Sequence, residues 1–336
     1  MLSRTADNLF WMCRYMERAE NTARMLDVNL QMSLLPQEPA ARAASWRAVL
    51  GISELHSRFE DAYPGGTTQE ILRFMVHEPS NPSSIYSCLY AARENARAVR
   101  GTLTTEVWET YNTIWLELQR HLRGGLLEHN AGEFFEWVKL RSHLARGVTI
   151  GTMLEDDALV FLRLGMHLER ADNTARLLDV KFHEHEGASR HDALSAGALS
   201  AEAPSAYPPR PEHEGVGEFY RWSAILGSVS GFEIYRKVYR DVITPERVAE
   251  LLILRGDMPR SLLASVRAVS KDLARISNSR STETERLAGL LRAELEYGRV
   301  EDILQGGLHP YLERFLARIN DLGNRIARDF LVPLAD

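Results

Sequence analysis

The chain contains the same segment twice, and this constrains its fold more than any single motif. Residues 2–28, LSRTADNLFWMCRYMERAENTARMLDV, align without a gap to residues 154–180, LEDDALVFLRLGMHLERADNTARLLDV, around a shared core ERA-(E/D)-NTAR-(M/L)-LDV. A match of this length inside one chain means that one structural unit is used twice. Further along, WRAVLG at Trp46 matches WSAILG at Trp222, and NPSSIYSCLYAARENAR from Asn81 echoes MPRSLLASVRAVSKDLA from Met258. Two homologous halves follow, 1–150 and 151–336. The offset between equivalents grows after the first match, which places an insertion in the second half. The segment EGASRHDALSAGALSAEAPSAYPPRPEHEG (186–215) supplies it, and its Ala, Ser, Pro and Gly content is expected to form a flexible loop.

Both halves carry a helical period. Met12, Met16, Ala19, Ala23, Leu26 and Leu30 recur at three- and four-residue spacing, and strand-like alternation is rare. Helix starts are expected at Ser3 or Thr5, Thr67 or Thr68, Asn81 before Pro82, Asp156 or Asp157, and Thr244 before Pro245. Glycines such as Gly51, Gly124 and Gly306 mark helix ends. The expected fold is all-α, a helical bundle of two homologous halves with an approximate internal two-fold.

On the first repeated helix Glu17, Asn21 and Arg24 share one angular band, and Glu169, Asn173 and Arg176 do the same on its copy. Phe10, Cys13 and Val28 share that band, so it is bracketed by apolar residues, unlike a solvated face. Buried carboxylates and guanidiniums must find partners. If the two helices cross antiparallel near Asn21 and Asn173, Glu17 meets Arg176 and Glu169 meets Arg24 as reciprocal ion pairs. The alternatives are a polar pocket between the halves that takes a charged ligand, or ordinary surface pairs, Glu20 with Arg24 and Asp172 with Arg176. A second candidate is Arg93, Arg97 and Arg100, expected on one helical face, whose aligned second-half positions are Ser270, Ala274 and Ser277. Three guanidiniums in a row suit a phosphate or carboxylate. Only four lysines stand among the 40 basic residues, so arginine at any one position says little by itself.

Composition excludes several classes. With 45% hydrophobic and 26% charged residues the chain is neither disordered nor fibrous. Cys13 and Cys88 are too few for a disulfide framework, and no apolar run is long enough to span a bilayer, so a cytoplasmic protein without a membrane segment is expected. A net charge of −6 argues against nucleic acid as a partner. There is no P-loop, no Rossmann glycine pattern, no H-E-x-x-H and no Glu-x-x-His pair. His183-Glu184-His185-Glu186 reads as a polar helix end. Neither a cofactor nor a metal is expected, and a homo-oligomer is compatible with the sequence.

MERAENTARMLDV at Met16 to Val28, LERADNTARLLDV at Leu168 to Val180, and NPSSIYSCLYAARENARAVRGTLTTEVWETYN at Asn81 to Asn112 resemble the Alpha-E family, an all-helical bacterial family named for its Glu-Arg motif. The resemblance covers essentially the whole chain. It implies that the Glu-Arg motifs are Glu17-Arg18 and Glu169-Arg170, and that the family's central motif maps to Arg93, Glu94, Asn95, Arg97, Arg100, Trp108 and Glu109. Family members are encoded beside, or fused to, a circularly permuted ATP-grasp ligase and a transglutaminase-like protease, sometimes near a proteasome-related peptidase. This context implies a part in making, modifying or removing a peptide tag. Two readings follow: a non-catalytic helical partner that positions a peptide or carrier substrate on the ligase, or an enzyme of amide-bond chemistry using Glu17 or Glu169 as general base with arginines stabilising an oxyanion. The sequence supplies no nucleophile with an adjacent base, which favours the first.

Overall fold

A computed structural model describes residues 1–36, 38–197 and 212–331, without the side chains of 181–218. The described residues form helices and no strands. The first eight helices are α1 (Ser3–Ser33), α2 (Pro39–Ile52), α3 (His56–Ala62), α4 (Thr68–Val76), α5 (Ile85–Ala98), α6 (Thr105–Arg123), α7 (Leu126–His129) and α8 (Ala131–Thr152). The next eight are α9 (Asp157–Gly197), α10 (Glu212–Ser228), α11 (Phe232–Tyr239), α12 (Pro245–Ile253), α13 (Leu262–Arg275), α14 (Thr282–Tyr297), α15 (Val300–Gln305) and α16 (Leu308–Phe330). Their lengths run in the same order: α5 and α13 both have 14 residues, α4 and α12 both have 9, and α8 and α16 have 22 and 23.

Local chemistry starts these helices. Thr67 closes a capping box with Glu70, and Thr104, Thr244, Ser84 and Ser261 each accept a hydrogen bond from a first-turn backbone N–H. Asn81 does not start a helix, as its place before Pro82 had implied. It is buried, its amide donates to the Phe74 carbonyl and its Oδ1 accepts from Ser83 N, which turns the chain so that Ser84 becomes the cap. The expected loop at 186–215 is corrected in part: α9 runs on to Gly197 and α10 begins at Glu212, so only 198–211 lies outside the described residues. Alanine, leucine, arginine and glutamate in 186–197 are good helix formers, and they extend a helix that is already nucleated.

The repeated helices α1 and α9 form the centre. Each makes its broadest contact with the other, and each is flanked by equivalent neighbours, α5 and α8 on α1, α13 and α16 on α9. A single apolar cluster runs through both halves, from Leu9 and Phe10 to Leu322 and Ile326. The two helices run side by side in the same direction: the N-terminal amine lies 3.7 Å from Asp157, Arg14 reaches Glu169, and Glu17 reaches Arg170. At Gly165 the backbones touch; a Cβ there would collide with the Phe10 carbonyl. Among the described residues no helix is long and apolar enough to cross a membrane.

Candidate functional site

A parallel, in-register pair of similar helices brings each residue against its own copy, so a lone glutamate would face a glutamate. The Glu-Arg dipeptide resolves this conflict. Arg170 Nε and Nη2 donate to the two carboxylate oxygens of Glu17 at 2.8 and 2.9 Å, and Arg18 Nε and Nη2 donate to those of Glu169 at 2.5 and 3.0 Å. Each glutamate takes the arginine one position further along the other helix, by the two-pronged geometry that suits guanidinium and carboxylate. The expected reciprocal exchange therefore exists, with different partners. The pairs Glu17–Arg176 and Glu169–Arg24 require antiparallel helices, and these run parallel. Arg24 instead bonds Glu20 and Ser230, and Arg176 bonds Asp172 and Glu54. The Glu20–Arg24 pair is buried, not a surface pair.

The surroundings of the two glutamates differ. Glu17 also accepts from Arg260 Nη1 at 2.9 Å and Arg146 Nη2 at 3.1 Å. Glu20, fully buried, accepts from Arg260, Arg146, Arg24 and the Ser142 hydroxyl. Arg260 Nη1 also donates to Asn21 Oδ1 at 2.8 Å. Two carboxylates thus sit among four guanidiniums, three of them less than a tenth exposed. Burial alone would raise the pKa of these glutamates, but the guanidiniums outweigh it: Glu20 is held at about 2 and Glu17 well below its ordinary value. Glu169 is likewise held at about 2, by Arg18 and Arg14 against burial. His167, enclosed near Arg170, is pushed down to about 3, chiefly by burial. Burial pushes both the Cys13 and the Cys88 thiol up to about 12.

Around the second copy, space replaces side chains. A cleft of about 200 Å³ is lined by Arg18, Asn21, Ser83, Glu169, Asp172, Asn173 and Arg176, and a second of about 110 Å³ by Arg14, Asp172 and Gly323. The amide nitrogen of Asn21 has no hydrogen-bond partner. Of the residues expected from sequence, Arg18, Asn21, Glu169, Asn173 and Arg176 therefore meet in one cleft, while Glu17, Arg24 and Arg170 lie in the filled cluster.

The row Arg93, Arg97, Arg100 does not form a cradle. The helix α5 ends at Ala98, before Arg100, and Glu94 takes both Arg93 and Arg97. Arg93 also donates to Asn112 Oδ1 and lies over the Trp108 ring, Asn95 bonds back to the Ala91 carbonyl, and Glu109 is exposed. None of these residues lines the α1–α9 cleft. Sequence reasoning missed Arg14, which lies one turn before Glu17 on the same face of α1 but is Met166 in the repeat, and Arg146 and Arg260, which come from α8 and from the turn before α13. The alignment of Arg260 with Ser83 was the available signal.

No curated protein and no solved structure matches the chain. A family model described as a predicted alpha-helical domain with a conserved ER motif matches residues 1–331. The chain carries a Glu-Arg dipeptide on each of the two helices that the Arg18–Glu169 and Arg170–Glu17 pairs lock together, and it belongs to the Alpha-E family.

Proposed function

We propose that this chain is a non-catalytic helical partner of a circularly permuted ATP-grasp peptide ligase and a transglutaminase-like protease, and that it positions a peptide or carrier substrate for tagging or modification. The ligase and protease come from the genetic context that the family resemblance implies. The observation that carries the non-catalytic half is the state of the ionisable groups. A general base works best with a proton affinity near the working pH, and a carboxylate at about 2 is a poor one. The thiols at about 12 are protonated near neutrality and cannot serve as ready nucleophiles. These glutamates organise neighbouring groups; they are not poised to move protons. The cleft between α1 and α9, with amide, hydroxyl and charged groups on its walls, is the surface for the substrate.

Co-purification with the cognate ligase, followed by ligase turnover with and without this chain, tests the proposal. Complex formation and faster or more selective turnover are expected. A ligase that neither binds the chain nor responds to it would overturn the reading. Glu17→Gln should impair the complex through loss of fold rather than slow a chemical step in the complex that remains.

A further inference from the structure

The duplication supplies an internal template for what the open cleft accepts. In the filled copy, the guanidinium of Arg260 sits against Glu17, Glu20 and Asn21. Their equivalents in the repeat are Glu169, Asp172 and Asn173, and all three line the 200 Å³ cleft. The residue equivalent to Arg260 is Ser83: Asn81-Pro82-Ser83-Ser84 aligns with Met258-Pro259-Arg260-Ser261, and Ser84 and Ser261 cap α5 and α13 in the same way. Ser83 lines the cleft too. The acceptors are thus kept where the donor is lost.

Two further differences point the same way. The buried faces of α8 and α16 superpose in sequence, Val138 with Phe315, Ser142 with Ile319, Ala145 with Leu322 and Thr149 with Ile326, which puts Gly323 where the first half has Arg146. Both arginines that bridge Glu17 and Glu20 are therefore small residues in the other copy, and the space beside Gly323, about 110 Å³, is larger than the space of about 40 Å³ beside Arg146 in the first. The left-handed turn that places Ser230 (φ 51°) on Arg24 recurs at Glu54 (φ 54°) on Arg176, with a carboxylate in place of the hydroxyl. The filled copy has two carboxylates among four guanidiniums. The open one has Glu54, Asp172 and Glu169 against Arg14, Arg18 and Arg176. One more cation leaves the open copy less positive than its filled counterpart.

We infer that the cleft binds a guanidinium group, of the kind an arginine side chain carries, in the place that Arg260 occupies in the other copy. Glu169 and Asp172 accept from it and the Asn173 carbonyl completes the set, as Glu17, Glu20 and Asn21 do for Arg260. The inference rests on the reading of this cleft as a substrate surface and names the group it recognises. It is tested on the isolated chain, so that its failure leaves docking on the ligase untouched, and failure to dock leaves it standing.

The test is calorimetric titration of the full chain with N-acetyl-arginine amide and with N-acetyl-citrulline amide, which has nearly the same shape and no charge. The arginine probe should bind about tenfold or more tightly than citrulline, the usual margin for a charge-assisted contact over a neutral one. Ser83→Arg should remove arginine binding and raise the thermal midpoint above that of Ser83→Met, which fills the same space without charge. Asp172→Asn should weaken the arginine probe and leave citrulline unchanged. Equal binding of the two probes, no binding of either, or a Ser83→Arg chain no more stable than Ser83→Met would each overturn the inference.

Discussion

Replacing Glu17 by glutamine is the sharpest probe of the central cluster. The side chain is 1% exposed and accepts four hydrogen bonds, two from Arg170 and one each from Arg260 and Arg146. Glutamine has nearly the same shape, so little packing is lost. What changes is charge: Glu20 is left as the one carboxylate among four guanidiniums, and the new amide presents its own N–H groups to donors that have nowhere to turn. Removing one partner of a buried ion pair costs about 3–5 kcal/mol, because the charge left behind is desolvated and unpaired. Since domains are stable by only about 5–15 kcal/mol, this loss should be plain in urea unfolding followed by circular dichroism. Removing Arg170 as well relieves part of the excess. Glu17→Gln with Arg170→Met should therefore cost less than the sum of the single changes, with a coupling of about 1–3 kcal/mol. A Glu17→Gln chain within about 1 kcal/mol of the parent, or strictly additive single changes, would refute the account of the cluster.

Gly165→Ala should destabilise by about 3 kcal/mol or more, because the added methyl meets the Phe10 carbonyl and neither helix backbone can yield alone, whereas Gly147→Ala, with open space around it on α8, should stabilise by up to about 1 kcal/mol; comparable urea midpoints for the two would contradict the close approach. Acid should weaken the fold in two stages. His167 has a folded value of about 3 against an ordinary 6.5, so the unfolded chain takes up a proton first and stability falls as pH drops below about 6.5. Glu20 and Glu169 stand at about 2 against 4.5, so each contributes stability that is full above 4.5 and lost as pH falls toward 2. Urea midpoints measured down the pH scale should show both stages, and His167→Gln should shrink the upper one, leaving what His143, also held below its ordinary value by burial, contributes, without changing the lower one.

The helical fold was readable because apolar residues at three- and four-residue spacing leave no alternative over α1 and α9, and because the duplication fixes their equivalence. The buried ionic stripe was readable for a similar reason: Phe10 and Val28 on the same face as Glu17 and Asn21 exclude a solvated helix. The direction of the helices was not. Equivalent residues 152 positions apart, as Glu17 and Glu169 are, can meet parallel or antiparallel, since the six helices from α2 to α7 and the long α8 can return the chain to either end. That one unknown decided whether Glu17 met Arg176 or Arg170. Arg146 and Arg260 escaped notice because they enter from α8 and from the turn before α13, where nothing in the local pattern marks them as buried. Helix ends failed where side chains compete for the backbone, as at Asn81, whose amide is occupied by the Phe74 carbonyl.

The in-register pairing of α1 with α9 has an evolutionary corollary. Were the two halves separate identical molecules, any substitution at this seam would arrive on both sides at once, and losing the arginine that bridges Glu17 and Glu20 would empty both sites together. Carried on one polypeptide, positions 83 and 260 vary independently. One site keeps its built-in plug and holds the molecule together, while the other is released from that duty and free to recruit a visitor.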